Sequence, residues 1–502
     1  MTQHIILFPA LFQMFLALGM LFYWSRTRIQ IVISVIGNIL NICLAITLFH
    51  TVWTEGTLVL QAGNWEAPFG ITFVADTFSA TLVLLTSIIG TAVSLFIPAT
   101  VIRHRLKFGF LPLFHFLLMG VTGVLLTGDI FNLYVWFEII HISSFVLLAL
   151  GSERYQLQGA VKYFTLNMLA SIIFLTGLAI LYGLMGTLNM ADLAVKAGEV
   201  ETDNLLFICA MFFFVGFGIK SAIFPMYFWL PDSYHTPPTA VSAIFSGLLT
   251  KVGVYAIIRV FSLVFLGNQF IADLVGVVAI ISILSGGAAA LLQNNLRKVF
   301  AYLIICHIGF LIAGLGIFNE ASVSGTVYYM MHDMVVKANL FLIAGLVFRI
   351  MGTEDLRELG GLYASHPKIS LLIAVTFFSV IGIPPLSGFW PKIGLIRGSL
   401  EGGEFFAMGA ILFGSFLTLM ALARVWSKAF WRPAKPLKRI EGFVYFSDLT
   451  TRRKSLILGS IAMLTAVTLY FGFGAEQVQS VAQRIATEII DKSSYVNAVF
   501  GL

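Results

Sequence analysis

The sequence predicts an all-α polytopic membrane protein with about fourteen transmembrane helices, two of them broken and ten of them forming two inverted five-helix repeats. Three observations predict it. The 502-residue chain is 59% hydrophobic and only 11% charged, with a mean hydropathy of +0.95, beyond what a soluble domain of ordinary composition reaches. Its apolar residues fall in runs that match the ~20 residues needed to cross ~30 Å of hydrocarbon. Its Lys and Arg residues gather on one side of those runs, as cytoplasmic loops of membrane proteins do.

The first seven runs are 5–24, 31–49, 77–97, 110–126, 130–150, 160–184 and 205–230. The other seven are 239–266, 271–292, 299–318, 323–348, 369–400, 405–426 and 456–473. The first has neither a basic leader nor a small-residue cleavage site, so it reads as a retained span. With the N-terminus outside, the inside loops hold Arg26 and Arg28, then Arg103, Arg105 and Lys107, Arg154, Arg297 and Lys298, and Arg349, Arg357 and Lys368. The long inside loop after 426 adds Lys428, Arg432, Lys435, Lys438, Arg439 and Arg452 to Lys454. Outside loops are acidic or neutral: Glu55 and Glu66, then Asp192, Glu199, Glu201 and Asp203 around Lys196, then Glu320, Glu401 and Glu404. An even number of crossings also places the C-terminus outside. The net charge of +6 is therefore a signature of topology in a lipid bilayer, and no nucleic-acid partner is expected. Cys43, Cys209 and Cys306 form no CxxC and no ligand-like spacing, so no disulfide framework, no metal and no cofactor is expected.

Two spans are interrupted. Pro225, Pro231, Pro237 and Pro238 break the seventh, and Pro384 and Pro385, within "IGIPPLSGFWPKIG", break the twelfth. Proline removes a backbone donor and clashes with the preceding turn, so the freed carbonyls need protein or water as partners at membrane depth. Paired broken helices point to a repeat with a transport path at its centre. The organisation expected is helices one to three in 1–108, a first unit of helices four to eight in 109–268, and a second of helices nine to thirteen in 269–430. Residues 431–502 supply a basic cytoplasmic loop, the last helix and an external tail.

Within the apolar runs stand Glu138, Lys220, Lys251, Arg259, Asp333, Lys337 and Lys392. An ionised side chain at a helix centre costs about 2.5–3.5 kcal/mol on insertion scales. Any one of these alone reads equally well as a snorkelling or salt-bridged residue near a span end. The set does not, because Glu138, Lys220 and Lys337 lie near mid-span and Lys220 and Lys392 adjoin the two breaks. Asp333 and Lys337 are four apart and can pair, with His332 about 100° away around the helix. Lys251, Tyr255 and Arg259 make one stripe, and Glu138 and His141 share a face. His307 occupies the place where an inverted repeat puts the counterpart of Glu138. Taken singly, His115, His141, His307 and His332 suit hydrogen-bonded helix packing.

Lysine is the useful cation in such a row. Desolvation favours its neutral amine and a nearby carboxylate favours its ammonium, so it can accept and release a proton, whereas arginine stays charged. Lys220 accordingly reads as a proton site to which the neighbouring prolines admit water, and Arg259 as a fixed charge that tunes the lysines.

Four stretches carry a family resemblance: "GDIFNLYVWFEIIHISSFVLLALG", "GIKSAIFPMYFWLPDSYHTPPTAVSAIFSGLLTKVGVYAIIR", "YYMMHDMVVKANLFLIAGLV" and "IGIPPLSGFWPKIGLI". They resemble the antiporter-like membrane subunits shared by respiratory complex I and the Mrp-type sodium/proton antiporters, with the Mrp type nearest. The resemblance covers nearly the whole chain. It implies a transporter subunit rather than an enzyme, in a prokaryotic cell membrane, that moves protons in exchange for Na+ alongside the other Mrp subunits, lettered A, B, C, E, F and G. It also implies a proton row that falls here on Glu138, Lys220, Lys251, Lys337 and Lys392, supported by His141, His307, His332, Asp333, Arg259 and Tyr255. Relatives of the complex I type can place two histidines before the helix-eleven lysine where this chain has Tyr329 and Asp333, so a histidine relay is not expected there. The tail lacks a long lateral helix, which argues against the longest paralogues. Two other readings are weighed: a proton-pumping subunit of a complex I-like dehydrogenase or membrane hydrogenase, separable by genomic neighbours, and a haem-bearing cytochrome b-like protein, separable by an absorption spectrum.

Overall fold

A computed structural model of the chain describes residues 2–198, 203–266, 268–434 and 442–501. Glu199, Glu201, Lys435, Lys438 and Arg439 of the charge pattern lie outside the described residues. Among the described residues twelve helices are long and apolar enough to cross a membrane, and two shorter apolar helices, Phe110–Leu126 and Pro367–Ile381, complete the predicted order. The chain is a multi-pass membrane protein.

In chain order the crossings are α1 (Phe8–Phe22), α2 (Thr27–Glu55), α3 (Thr77–Thr100), α4 (Phe110–Leu126), α5 (Ile130–Ala149), α6 (Arg154–Met185) and α7 (Asp203–Ser221, then Trp229–Tyr234). They continue as α8 (Thr239–Phe265), α9 (Gln269–Leu292), α10 (Leu296–Ile317), α11 (Glu320–Met351), α12 (Pro367–Ile381, then Phe389–Glu401), α13 (Phe405–Trp426) and α14 (Thr451–Phe473). α8 is buried along its length and α11 nearly so, which identifies these two as the axis of the bundle, whereas α1, α2 and α6 bury one side and turn the other outward.

Three features go beyond the sequence expectations. A hairpin of β1 (Leu58–Gln61) and β2 (Thr72–Ala75) pairs antiparallel, Leu58 opposite Ala75. Two helices follow α14, α15 (Ala475–Ile490) and α16 (Lys492–Phe500). α15 buries Val478, Ala482, Ile485, Ala486 and Ile489, an apolar stripe of helical period. Gln61 of the hairpin meets the end of α16, its Nε2 donating to the Val499 carbonyl at 3.4 Å. The basic loops are tied down as well: Arg349 donates to the Thr100 and Val444 carbonyls, and Arg105 pairs with Glu153 at 2.9 Å.

The two breaks are built alike. Ala222 and Gly382 take left-handed backbone angles (φ 60° and 90°), Pro225 and Pro385 follow three residues later, and Pro231 and Pro391 stand third in the helices that resume. In the first turn proline forfeits no helical bond. All three pairs share one offset of 160 residues (222 and 382, 225 and 385, 231 and 391). The lysines do not share it. Lys220 precedes its break and Lys392 follows its own, so their register partners are Val380 and Asp232. The breaks correspond; the lysines beside them occupy opposite arms.

Candidate functional site: a buried row of ionisable side chains

Glu138 on α5 and Lys220 at the end of the first arm of α7 meet through a residue not singled out in the sequence, Ser171 on α6. The Ser171 hydroxyl donates to Glu138 Oε1 and accepts from Lys220 Nζ at 3.1 Å. Lys220 also lies 4.9 Å from the centre of the Phe137 ring, a cation–π contact. His141, one turn on from Glu138, places Nδ1 3.7 Å from Glu138 Oε2. Its Nε2 is buried without a hydrogen-bond partner among the described residues, and His141 lines a cavity of about 20 Å³ together with Lys220, Tyr163, Asn167, Trp229, Leu249 and Val252. A cavity of that size holds about one water. Two of its lining residues, Leu249 and Val252, flank Lys251 on α8.

The second cluster centres on Asp333 of α11, which is fully buried. Lys251 pairs with its Oδ2 at 2.8 Å across the α8/α11 interface. Lys337, one turn along α11, stands 3.8 Å from Oδ1, and His307 of α10 places Nδ1 2.9 Å from the same oxygen. A carboxylate only accepts, so that bond sets the proton of His307 on Nδ1. The i, i+4 pair read from spacing therefore exists, but the shorter ion pair is to Lys251, which spacing within one helix could not show. Lys337 Nζ finds its nearest acceptor in the Leu303 carbonyl of α10 at 3.0 Å.

Local helix geometry positions these groups. α8 contains π-helical turns at Phe245–Leu249 and Phe261–Phe265, features common at functional sites. Lys251 follows the first and its Nζ donates to the Ser246 carbonyl within it at 2.8 Å, while Ser246 Oγ donates to the Lys337 carbonyl at 3.1 Å. Gly253 lets α8 close on the end of the first α7 arm, where a Cβ would lie 2.5 Å from Ser221 Oγ.

At the α12 break Lys392 Nζ donates to the carbonyls of Ile381 at 2.8 Å and Val380 at 3.4 Å. It thus satisfies the carbonyls that the proline break frees, as a cation at a helix C-terminus does. His332 Nδ1 bonds Ser387 Oγ in the same break at 2.8 Å. Aromatic rings adjoin both Lys392 and the Asp333 cluster: Lys392 Nζ is 5.6 Å from the Phe310 ring centre, and the Tyr329 ring lies 5.6 Å from His307.

The structure corrects the reading of Arg259. Its charge faces Asp76, not the lysines, with Arg259 Nη2 2.5 Å from Asp76 Oδ2. Asp76 Oδ1 meanwhile caps α3 by accepting the Ser79 amide at 2.8 Å, a capping box that the spacing of Asp76 and Ser79 could have revealed. Tyr255 donates to the Leu125 carbonyl at 2.8 Å, and Tyr495 of α16 stacks over Arg259. The stripe from Lys251 to Arg259 thus ends in a structural clasp. His115 belongs to helix packing, as expected: it bonds Gln13 Oε1 at 2.5 Å and Ser34 Oγ at 2.9 Å. Replacing Asp76 with Asn is expected to leave the Arg259 guanidinium buried against a neutral partner, a loss of about 3–5 kcal/mol. Thermal denaturation of the detergent-solubilised protein checks this; an unchanged midpoint would mean that Arg259 is held by other partners.

A helical membrane bundle with carboxylates, lysines and imidazoles threaded through its centre, beside two broken helices, defines an ion-translocating membrane protein. Residues 127–418 match the sequence model of the family described as NADH:quinone oxidoreductase/Mrp antiporter, transmembrane, and the chain belongs to that family. Among curated proteins it is 38% identical to the D component of the Na(+)/H(+) antiporter of Alkalihalophilus pseudofirmus, over 99% of both chains. It is 36% identical, with the same coverage, to the component of the same name from Bacillus subtilis. Its fold superposes with a TM-score of 0.92 on a chain of the Mrp complex from Dietzia sp. DQ12-45-1b, at 26% identity over 100% of this chain and 99% of that one. The family resemblance carried by the four quoted stretches is thereby borne out.

Proposed function

We propose that this chain is the proton-translocating subunit of a multi-subunit secondary Na+/H+ antiporter, a transporter rather than an enzyme. The observation that carries the reading is the buried row itself: a Glu138/Ser171/Lys220 group beside a small cavity that reaches the neighbours of Lys251, a Lys251/Asp333/Lys337 group, then Lys392 at the second break. Protons pass along Glu138, Lys220, Lys251, Lys337 and Lys392, each lysine alternating between an ammonium held by a carboxylate or carbonyl and a neutral amine that has handed its proton on. The relatives named as D components of Na(+)/H(+) antiporters supply the identity of the exchanged cation and favour this reading over a redox-driven pump. Na+ prefers carboxylate-rich, hydrated sites, and this row offers Glu138 and Asp333, both engaged with cations or their donors. The Na+ path accordingly lies largely in partner subunits, those lettered A, B, C, E, F and G.

The matched breaks support two inverted five-helix units over 109–268 and 269–430, flanked by 1–108 and 431–502. The bacterial origin of the relatives favours a prokaryotic plasma membrane location, and the distribution of Lys and Arg favours both termini outside. The test is exchange by the assembled complex: everted vesicles from an antiporter-deficient host expressing the full gene cluster are energised, and Na+ is added. Collapse of the pH gradient on Na+ addition is expected. A gradient that Na+ leaves untouched, in vesicles shown to contain the complex, would overturn the antiport reading.

A further inference from the structure

Resting on the reading of Glu138 and Lys220 as proton sites, we propose that the Ser171 hydroxyl is the proton bridge between them. The bridge is complete without water. Lys220 Nζ donates to Ser171 Oγ at 3.1 Å while the Ser171 O–H donates to Glu138 Oε1. Both bonds run the same way, so one concerted shift moves a proton from end to end: a Lys220 N–H breaks as an O–H forms on Ser171, and the original Ser171 O–H breaks as an O–H forms on Glu138. The products are a neutral amine and a carboxylic acid, with Ser171 again a hydroxyl. The reverse shift restores the ion pair.

Position supports the role. Ser171 is buried, whereas Glu138 keeps 25% of its side chain exposed. The hydroxyl therefore lies between the interior lysine and the half-open carboxylate, and no direct Lys220–Glu138 salt bridge is present among the described residues. The backbone hydrogen bonds of α6 do not depend on this side chain. A helical serine often returns its hydroxyl to the carbonyl four residues back, as Ser221 does to Phe217 at 2.8 Å. Ser171 gives its proton to Glu138 instead.

The test uses the assembled complex with Ser171→Ala, which removes the hydroxyl at nearly constant volume, and Ser171→Thr, which restores it. Infrared difference spectra across a pH step report protonation of Glu138 as a carboxylic C=O band, identified by its loss in Glu138→Gln. Ser171→Ala is expected to abolish or displace that band and to slow exchange at least tenfold with normal assembly, and Ser171→Thr to recover both. A wild-type band and wild-type exchange in Ser171→Ala would overturn the bridge, and so would a Thr variant as impaired as Ala in an assembled complex. Because the band is read without any transport, failure of the bridge is distinguishable from failure of the antiport reading, which would show as absent Na+/H+ exchange in the unmutated complex.

Discussion

Complexes carrying Glu138→Gln or Lys220→Ala are expected to assemble and to lose Na+/H+ exchange. The Gln variant is the sharper of the two. Its amide oxygen still accepts from Ser171, so the shape of the contact survives, but it can neither hold the Lys220 charge nor take up a proton. Uncoupling a buried charge from its partner costs about 3–5 kcal/mol, and 1.4 kcal/mol is about tenfold in rate, so a loss on the order of a hundredfold or more follows if that group lies on the path. Initial rates of Na+-induced collapse of the pH gradient in vesicles, normalised to complex content, give the measurement. Near-normal exchange by either variant would remove both residues from the proton path.

Asp333 carries the second large effect. It faces Lys251 at 2.8 Å and Lys337 at 3.8 Å, with His307 on the same oxygen as Lys337. Asp333→Asn leaves two buried cations without a counter-charge, and a penalty of about 3–5 kcal/mol is expected to show as reduced expression as well as lost exchange. The geometry ranks the rescues. Adding Lys251→Met to Asp333→Asn should restore more assembled complex than adding Lys337→Met, because the shorter pair holds more of the coupling. Expression and detergent stability of the single and double variants give the interaction energies. If both double variants simply add, Asp333 holds neither lysine.

The parts legible in the sequence are those the bilayer dictates. Runs such as 239–266 and 299–318 form helices as read, because lipid leaves a lone spanning segment no structure but a helix to adopt. The breaks are legible because proline has few places to stand inside such helices. What spacing cannot show is contact between helices. Lys251 meets Asp333 only because the axial helices α8 and α11 are adjacent, and Ser171, one serine in the apolar stretch "MLASIIF", is indistinguishable in sequence from a packing residue. Arg259 eludes the sequence for the same reason: its partner, Asp76, lies 183 positions away (259 and 76) at the start of α3. The apolar stripe of α15 is visible in its period, yet a helix of 16 residues with charged flanks carries no transmembrane signal and reads only as part of a tail.

The central claim is that lysines in this row carry protons rather than merely holding charge. Lys392→Arg separates the two. Arginine keeps the positive charge and supplies donors for the Ile381 and Val380 carbonyls, so the capping of the broken helix is preserved. It does not release its proton in a protein. Exchange by the assembled Lys392→Arg complex, measured across the working pH range, is predicted to fall to a small fraction of wild type at every pH with complex content unchanged. Wild-type exchange by that variant would contradict the claim and show that Lys392 acts as a fixed charge.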